Sequence, residues 1–397
     1  TDPKVQVAHV VARARAATEA YENTDQERVD DAVRALAWAI YKPENAEMLA
    51  RLAVEDTGLG DVTSKITKNT RKTFGTLRDL LRAKTVGIIS DEPERGLVKY
   101  GKPVGVVGAV CPSTNPAATP VNKAMMALKG GNAVIIAPSP AGYETTSKTV
   151  GLMRAELKKS GHPEDLVQVL PAPVSKELTQ ALMEQVDLAV VTGSQNNVKR
   201  AMQSGTVAIG VGAGNVPVII DASADLDAAA EKICASKIFD NSTSCSSENS
   251  VVILDEIYED AIAALKRAGG WRCNPQERER VRETLWVNGK LNRRVIAKDA
   301  AVTAEVMGLP DDAKRSKFFM VEEDAVGGKH SFADEKLSLI LTVYRAQDFA
   351  DAKRIVRDVL DVTGKGHSAG IHTKDMEHAR ELATETDVVR ILVNQPH

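Results

Sequence analysis

Pro103-Val104-Gly105-Val106-Val107-Gly108-Ala109-Val110-Cys111-Pro112-Ser113-Thr114-Asn115-Pro116 opens the part of the chain that decides the fold. An apolar run at 104–110 meets a polar turn bounded by prolines. Val121, Ala124, Met125 and Leu128 then recur at i, i+3, i+4 and i+7, which predicts a helix with one apolar face. Gly130-Gly131 stops that helix, and residues 133–137 are apolar throughout. Continuous apolar strands alternating with amphipathic helices mark a parallel sheet covered on both faces. The pattern runs outward through apolar stretches at 166–170, 188–191, 207–211 and 216–220. Sheets of this kind take ligands at the carboxyl ends of their strands.

Upstream, residues 1 to about 85 read as helix. Val33, Leu36, Ala37, Ile40 and Tyr41 share a face, Pro43 interrupts, and Gly58 and Gly60 end the stretch. Two apolar runs flank Ser90-Asp91-Glu92-Pro93-Glu94-Arg95, which predicts a β-hairpin over 86–100 and a candidate dimer edge. Downstream, a second α/β segment covers about 240–390, with a helix over 256–267 and a strand at 339–344.

The chain has 397 residues, 43% of them hydrophobic and 26% charged, with a formal net charge of −3. That length allows two or three domains and a large core. No basic tail or aromatic-basic alternation points to nucleic acid, no run nears the roughly 20 apolar residues of a membrane helix, and no secretory signal pattern is present. Cys111, Cys234, Cys245 and Cys273 form no C-x-x-C pair and have no histidine at zinc-ligand spacing. A metal site is therefore not expected, and a reducing cytoplasm is. Thr1 stands where a gene product has Met, so a longer chain is expected.

Cys245 is the first candidate for chemistry. Most cysteines sit among apolar neighbours. This one lies in Phe239-Asp240-Asn241-Ser242-Thr243-Ser244-Cys245-Ser246-Ser247-Glu248, among hydroxyls and just before a strand. Gly193 and Ser194 follow an apolar strand and open a helix; they suit a phosphate at a helix N-terminus, or equally an ordinary N-cap. Gly210-Val211-Gly212-Ala213-Gly214-Asn215 is a poor dinucleotide fingerprint, because a strand rather than a helix follows. Its glycines let backbone approach a ligand or a neighbouring loop. Asn115 has an amide suited to an oxyanion, although a capping Asn before a proline at N1 is the commoner use of that pattern. Glu335, before a strand, and His367, between glycine and serine, complete the polar candidates.

Together these segments resemble the aldehyde dehydrogenase superfamily, and most of all its coenzyme A-acylating branch, which includes one half of the bifunctional aldehyde–alcohol dehydrogenases. The likeness runs in order through Leu52-Ala53-Val54-Glu55-Asp56-Thr57-Gly58, Pro103-Val104-Gly105-Val106-Val107, Ser113-Thr114-Asn115-Pro116, residues 209–215, the Cys245 segment and Glu335-Lys336-Leu337-Ser338. It implies an α/β fold with a Rossmann-type cofactor domain over 1–238, with its sheet at 104–220, and a catalytic domain over 239–390. Residues 391–397 would begin a further C-terminal segment, so disorder after His397, truncation or a fragment of a bifunctional enzyme is also open. A β-hairpin oligomerisation element and a homodimer or homotetramer are implied as well.

The resemblance makes Cys245 the nucleophile, Asn115 and the Cys245 N–H the oxyanion donors, and His367 a candidate base for the coenzyme A thiol. It places Pro112, Ser113, Thr114, Ser139, Gly193, Ser194, Gly212, Glu335 and Leu337 at the nicotinamide cofactor, with Glu335 on its ribose. Hydrolytic members carry a glutamate, in a Glu-Leu-Gly-Gly-Lys type segment, that activates water. Here Ile209-Gly210-Val211-Gly212-Ala213 has no carboxylate, which favours acyl transfer to coenzyme A. Ala137-Pro138-Ser139-Pro140 also lacks the glutamate of many NAD-preferring relatives, so NADP is favoured slightly over NAD. Residues 69–100 and 113–142 look most like acylating enzymes for sulfoacetaldehyde. Succinate semialdehyde, acetaldehyde and propionaldehyde are competing substrates. A hydrolytic dehydrogenase, a γ-glutamyl phosphate reductase-like enzyme and a non-catalytic assembly protein are the rival functions.

Overall fold

A computed structural model describes residues 2–397, which form two compact units, one ending at Gly212 and the other beginning at Ala213. The first unit begins with helices α1 (Pro3–Ala20), α2 (Gln26–Tyr41), α3 (Pro43–Thr57), α4 (Val62–Thr67) and α5 (Thr73–Leu81). Pro43 takes the first position of α3, where its missing N–H costs nothing, and Gly58 ends that helix at φ 65°. Strands β1 (Gly87–Glu92) and β2 (Leu97–Gly101) pair antiparallel as the expected hairpin. Its apolar side chains Ile88, Ile89, Leu97, Val98 and Tyr100 are all exposed.

The sheet of this unit contains β3 (Val106–Val110), β4 (Ala133–Ala137), β5 (Val167–Val169), β6 (Leu188–Thr192) and β7 (Ala208–Val211). Their order is β5-β4-β3-β6-β7, and every pairing is parallel. Helices α6 (Ala118–Lys129), α7 (Tyr143–Lys159), α8 (Lys176–Gln185) and α9 (Gln195–Met202) connect the strands. β3 and β4 are buried at every position, as their unbroken apolar sequences require. One apolar core joins both strands to α1, α2, α6, α7 and α8.

The second unit contains β8 (Val216–Ile220), α10 (Leu226–Ile238), β9 (Glu248–Leu254), α11 (Tyr258–Arg267), β10 (Gly270–Arg272), α12 (Pro275–Leu285), β11 (Trp286–Val287), β12 (Lys290–Leu291), α13 (Ala300–Val306), β13 (Phe318–Glu323), β14 (Ile340–Ala346), α14 (Phe349–Val362), β15 (Ser368–His372), α15 (Met376–Glu385) and β16 (Arg390–Val393). Seven of its strands form one all-parallel sheet in the order β10-β13-β14-β9-β8-β15-β16. Alternate residues of β9 serve opposite faces: Val251 and Ile253 enter one core, Val252 and Leu254 the other.

One strand lies elsewhere than the sequence suggested. By its sequence Val216–Ile220 belongs with the first sheet, yet β8 pairs with β9 and β15 of the second. Its apolar sequence dictates burial on both faces but does not choose the neighbours. Among the described residues, no helix is long and apolar enough to cross a membrane, and no group of three or more His, Cys, Asp or Glu converges as a metal site.

Candidate active site

In a parallel sheet all strands start at one edge. The loops before β8, β9, β14 and β15 therefore gather at the amino edge of the second unit's sheet. Those loops carry Gly214, Cys245, Glu335 and His367.

The loop before β9 is built from residues suited to its backbone. Asp240, Asn241 and Ser242 are consecutively left-handed, at φ 51°, 51° and 66°. Asp and Asn tolerate that region better than most residues, because their short polar side chains bond locally. Here Asp240 accepts from Thr243 Oγ1 at 2.5 Å, Asn241 donates to Asp299 at 2.8 Å, and the hydroxyls of Ser242 and Ser247 are 3.0 Å apart. At the base of the loop Lys237 Nζ donates to the Glu248 carbonyl at 2.9 Å. Held in this way, Cys245 is exposed while Cys111, Cys234 and Cys273 are buried. Burial pushes the Cys111 thiol up to about 11 and that of Cys273 up to about 12, so neither ionises readily.

His367 Nε2 lies 3.2 Å from Cys245 Sγ. Its other ring nitrogen, Nδ1, is 3.1 Å from Ser368 Oγ, which accepts from Arg390 Nε at 3.1 Å. Burial, and then the Arg390 charge, lower the His367 pKa from its ordinary 6.5. The imidazole is thus neutral at pH 7 and able to accept a proton from a neighbouring thiol.

Gly214 and Asn215 set the back of this arrangement. A Cβ on Gly214 would overlap the Cys245 carbonyl oxygen and stand 3.0 Å from the Cys245 Cβ. The glycine therefore permits a close approach to the nucleophile loop. Asn215, fully buried, donates through Nδ2 to the carbonyls of Ala333 (2.7 Å), Thr363 (3.0 Å) and Val359 (3.2 Å), and accepts from Asn249. It fastens together the segments that carry Cys245, Glu335 and His367. Glu335 Oε1 accepts the Gly214 N–H at 3.1 Å, and enclosure pushes its carboxyl up to about 8 despite that bond. Leu337 is left-handed at φ 44°, a strained conformation of the kind found at functional sites.

The first unit has its own cleft, of about 400 Å³, at the carboxyl ends of β3, β4 and β6. Pro112, Ser113, Ser139, Gly193 and Ser194 all line it. Gly193 takes φ 153°, and Ser194 Oγ accepts the Asn197 N–H at 3.3 Å, so Ser194 is the N-cap of α9 as well as a wall of the cleft. Lys123 braces the floor from below, donating to the carbonyls of Val110 (2.6 Å) and Val190 (3.0 Å). Hydroxyls, a helix N-terminus and a glycine turn are donors of the kind a phosphate group accepts from. Gly212 lies against the start of α9, where a Cβ would overlap the Gln195 amide.

Thr114 accepts from Lys65 Nζ at 3.1 Å through its carbonyl. Asn115 does not cap a helix, contrary to the commoner use of an Asn-Pro pair. α6 starts only at Ala118, and no side chain caps it. The Asn115 Oδ1 is instead buried without a hydrogen-bond partner. Sequence reasoning passed over Ser368, Arg390 and Lys123, and met Asn215 only as the end of a glycine motif. A buried lysine or asparagine leaves no periodic signal, and the Arg390 link to His367 depends on β15 lying beside β16.

The second unit thus carries an exposed thiol beside an imidazole, and the first carries a cleft lined by hydroxyls and a glycine turn. Residues 2–397 match the model of the aldehyde dehydrogenase family, and the chain belongs to that family. It is 50% identical over 392 residues to an acylating sulfoacetaldehyde dehydrogenase of Cupriavidus necator, covering 98% of this chain and 80% of the relative. An acetylating aldehyde dehydrogenase from Geobacillus thermoglucosidasius superposes with a TM-score of 0.94 at 34% identity, over 99% of this chain and 87% of that one. A propionaldehyde dehydrogenase of Rhodopseudomonas palustris with bound propionyl-CoA superposes at 0.87 and 26% identity, over 98% of this chain and 85% of that one.

Proposed function

We propose that the chain is a coenzyme A-acylating aldehyde dehydrogenase that converts a small aldehyde to its acyl-CoA, with sulfoacetaldehyde as the preferred substrate. The observation that carries this reading is Cys245, the exposed thiol, with His367 Nε2 at 3.2 Å. The 50% identical relative supports the choice of aldehyde.

His367 takes the thiol proton as Cys245 Sγ bonds to the aldehyde carbon. The Asn115 amide and the Cys245 N–H hold the resulting oxyanion. A nicotinamide dinucleotide, NADP or NAD, supplies the acceptor for the carbonyl hydrogen when bound. Pro112, Ser113, Thr114, Ser139, Gly193, Ser194 and Gly212 would hold it, and Glu335 and Leu337 would serve its ribose. The acyl group then rests on Cys245 as a thioester. His367 loses that first proton to solvent, then takes the coenzyme A proton as that thiol attacks the thioester carbon, and returns it to the departing Cys245 sulfur. The segment Ile209-Gly210-Val211-Gly212-Ala213 offers no carboxylate to activate water, so the thioester waits for a thiol.

The exposed hairpin β1–β2 supports a homodimer or homotetramer. A reducing cytoplasm suits a thiol that must stay reduced.

The deciding experiment is turnover with a panel of small aldehydes and NAD or NADP, with and without coenzyme A. Sustained turnover that requires coenzyme A, is fastest on sulfoacetaldehyde and vanishes in Cys245→Ala is the expected result. Equal sustained turnover without coenzyme A would make water the acceptor and overturn the acylating reading.

A further inference from the structure

We propose that Arg200 and Lys176 clamp the 2′-phosphate of the dinucleotide, so that the cleft of the first unit selects NADP over NAD. This rests on the dinucleotide reading above and adds the residues that would choose between the two forms.

NAD and NADP differ by one phosphate on the adenosine ribose. Doubly wound folds tell them apart by a carboxylate on the ribose hydroxyl, for NAD, or an arginine near the 2′-phosphate, for NADP. The cleft walls carry two charged side chains, Lys176 and Arg200, both cationic. Where β4 ends, Pro138, Ser139 and Pro140 form the wall, and none can repel a phosphate.

Arg200 is prepared for an anion. It is half-buried on α9, and among the described residues no carboxylate forms an ion pair with it, although Glu177 is near enough to feel its charge. Nε donates to Gln180 Oε1 at 3.0 Å and Nη2 to the Lys176 carbonyl at 2.8 Å. A guanidinium has five N–H donors, so three remain. Two anchors fix the plane of the fork before any ligand arrives, which lowers the entropy lost on binding. The anchors also tie Arg200 to the first turn of α8, where Lys176 sits.

Two carboxylates, Glu177 and Glu184, stand beside Arg200 in a separate groove that Asp2 also lines. Glu184 accepts from Gln180 Nε2 at 2.9 Å. Glu177 turns to the start of its own helix: its own backbone N–H and the Ser175 hydroxyl, with Arg200 and Lys176 close by, hold it below the usual carboxylate range.

Calorimetric binding of adenosine 2′,5′-bisphosphate and of 5′-AMP to the whole protein isolates the one phosphate. The bisphosphate is expected to bind about 10- to 100-fold tighter, the scale of one or two charge-assisted hydrogen bonds. In the double variant Lys176→Gln, Arg200→Gln that ratio should fall toward one. Arg200→Lys, which keeps the charge without the fork, should keep part of it. NADP and NAD should show the same pattern. A wild-type ratio near one, or a ratio untouched by the double variant, would overturn the clamp and leave the dinucleotide cleft standing. If neither mononucleotide nor dinucleotide bound at all, the dinucleotide reading would fall, and the clamp with it.

Discussion

His367 Nε2 stands 3.2 Å from Cys245 Sγ although 122 residues separate them in the chain. Removing the imidazole should cost the reaction a proton acceptor. His367→Asn is expected to lower kcat/KM by about 10²- to 10⁴-fold, the range of general-base contributions, with Cys245→Ala inactive. Brief treatment with iodoacetamide should label Cys245 ahead of the three buried cysteines, read by peptide mass spectrometry. Equal labelling of all four would contradict the exposure described here.

The pH profile should follow the imidazole. Burial and Arg390 hold the His367 pKa below 6.5, so its neutral, proton-accepting form predominates at pH 7 and is lost only on further acidification. The acid limb of kcat/KM should therefore fall below pH 6.5. Arg390→Gln removes a positive charge that disfavours the imidazolium, so the limb should move to higher pH. A limb that stays in place in that variant would separate Arg390 from the proton transfer.

Gly214→Ala tests the close approach behind the nucleophile. The new Cβ would overlap the Cys245 carbonyl oxygen, so the loop must move. A loss of stability of about 1–3 kcal/mol is expected from the overpacking. Activity should drop further than stability accounts for, because the thiol moves with its loop. Thermal unfolding and steady-state kinetics on the same sample give both numbers.

Asn215→Ala removes the side chain that joins three carbonyls and Asn249. Each carbonyl left buried without its donor is costly, and a loss of roughly 2–5 kcal/mol is expected in denaturant unfolding. Asn215→Asp should be no milder, since a carboxylate would face three carbonyl oxygens.

Acid should weaken the fold through His372. This residue is 3% exposed, and burial, with Lys232 adding to it, lowers its pKa to about 4. The unfolded chain takes up the proton near 6.5, while the folded one refuses it until about 4. Stability is then complete above 6.5 and declines as pH falls between those values, by about 3 kcal/mol at most. His372→Gln should flatten that decline in unfolding curves collected across the range.

Much of this architecture is legible in the residues. Unbroken apolar runs mark β3 and β4, Pro43 and Gly58 bracket α3, and Cys245 stands out because hydroxyls surround it where packing would want carbon. Pairing is harder to read. Val216–Ile220 looks the same whether it completes the first sheet or sits inside the second, since burial on both faces is all its composition encodes. Asn115 misled in another way: an Asn-Pro pair reads locally as a cap, and only the late start of α6 at Ala118 removes that role. The Arg390–Ser368–His367 connection is set by one strand lying beside another, and no spacing in the sequence announces it.

Gly214 also limits how such an enzyme can diversify. Broadening the range of aldehydes by mutation needs positions that accept a variety of side chains, and this one accepts only hydrogen without displacing the thiol. A library randomised across residues 209–215 should return glycine at 214 among its active members. New specificity would have to arise on surfaces that leave the back of Cys245 untouched.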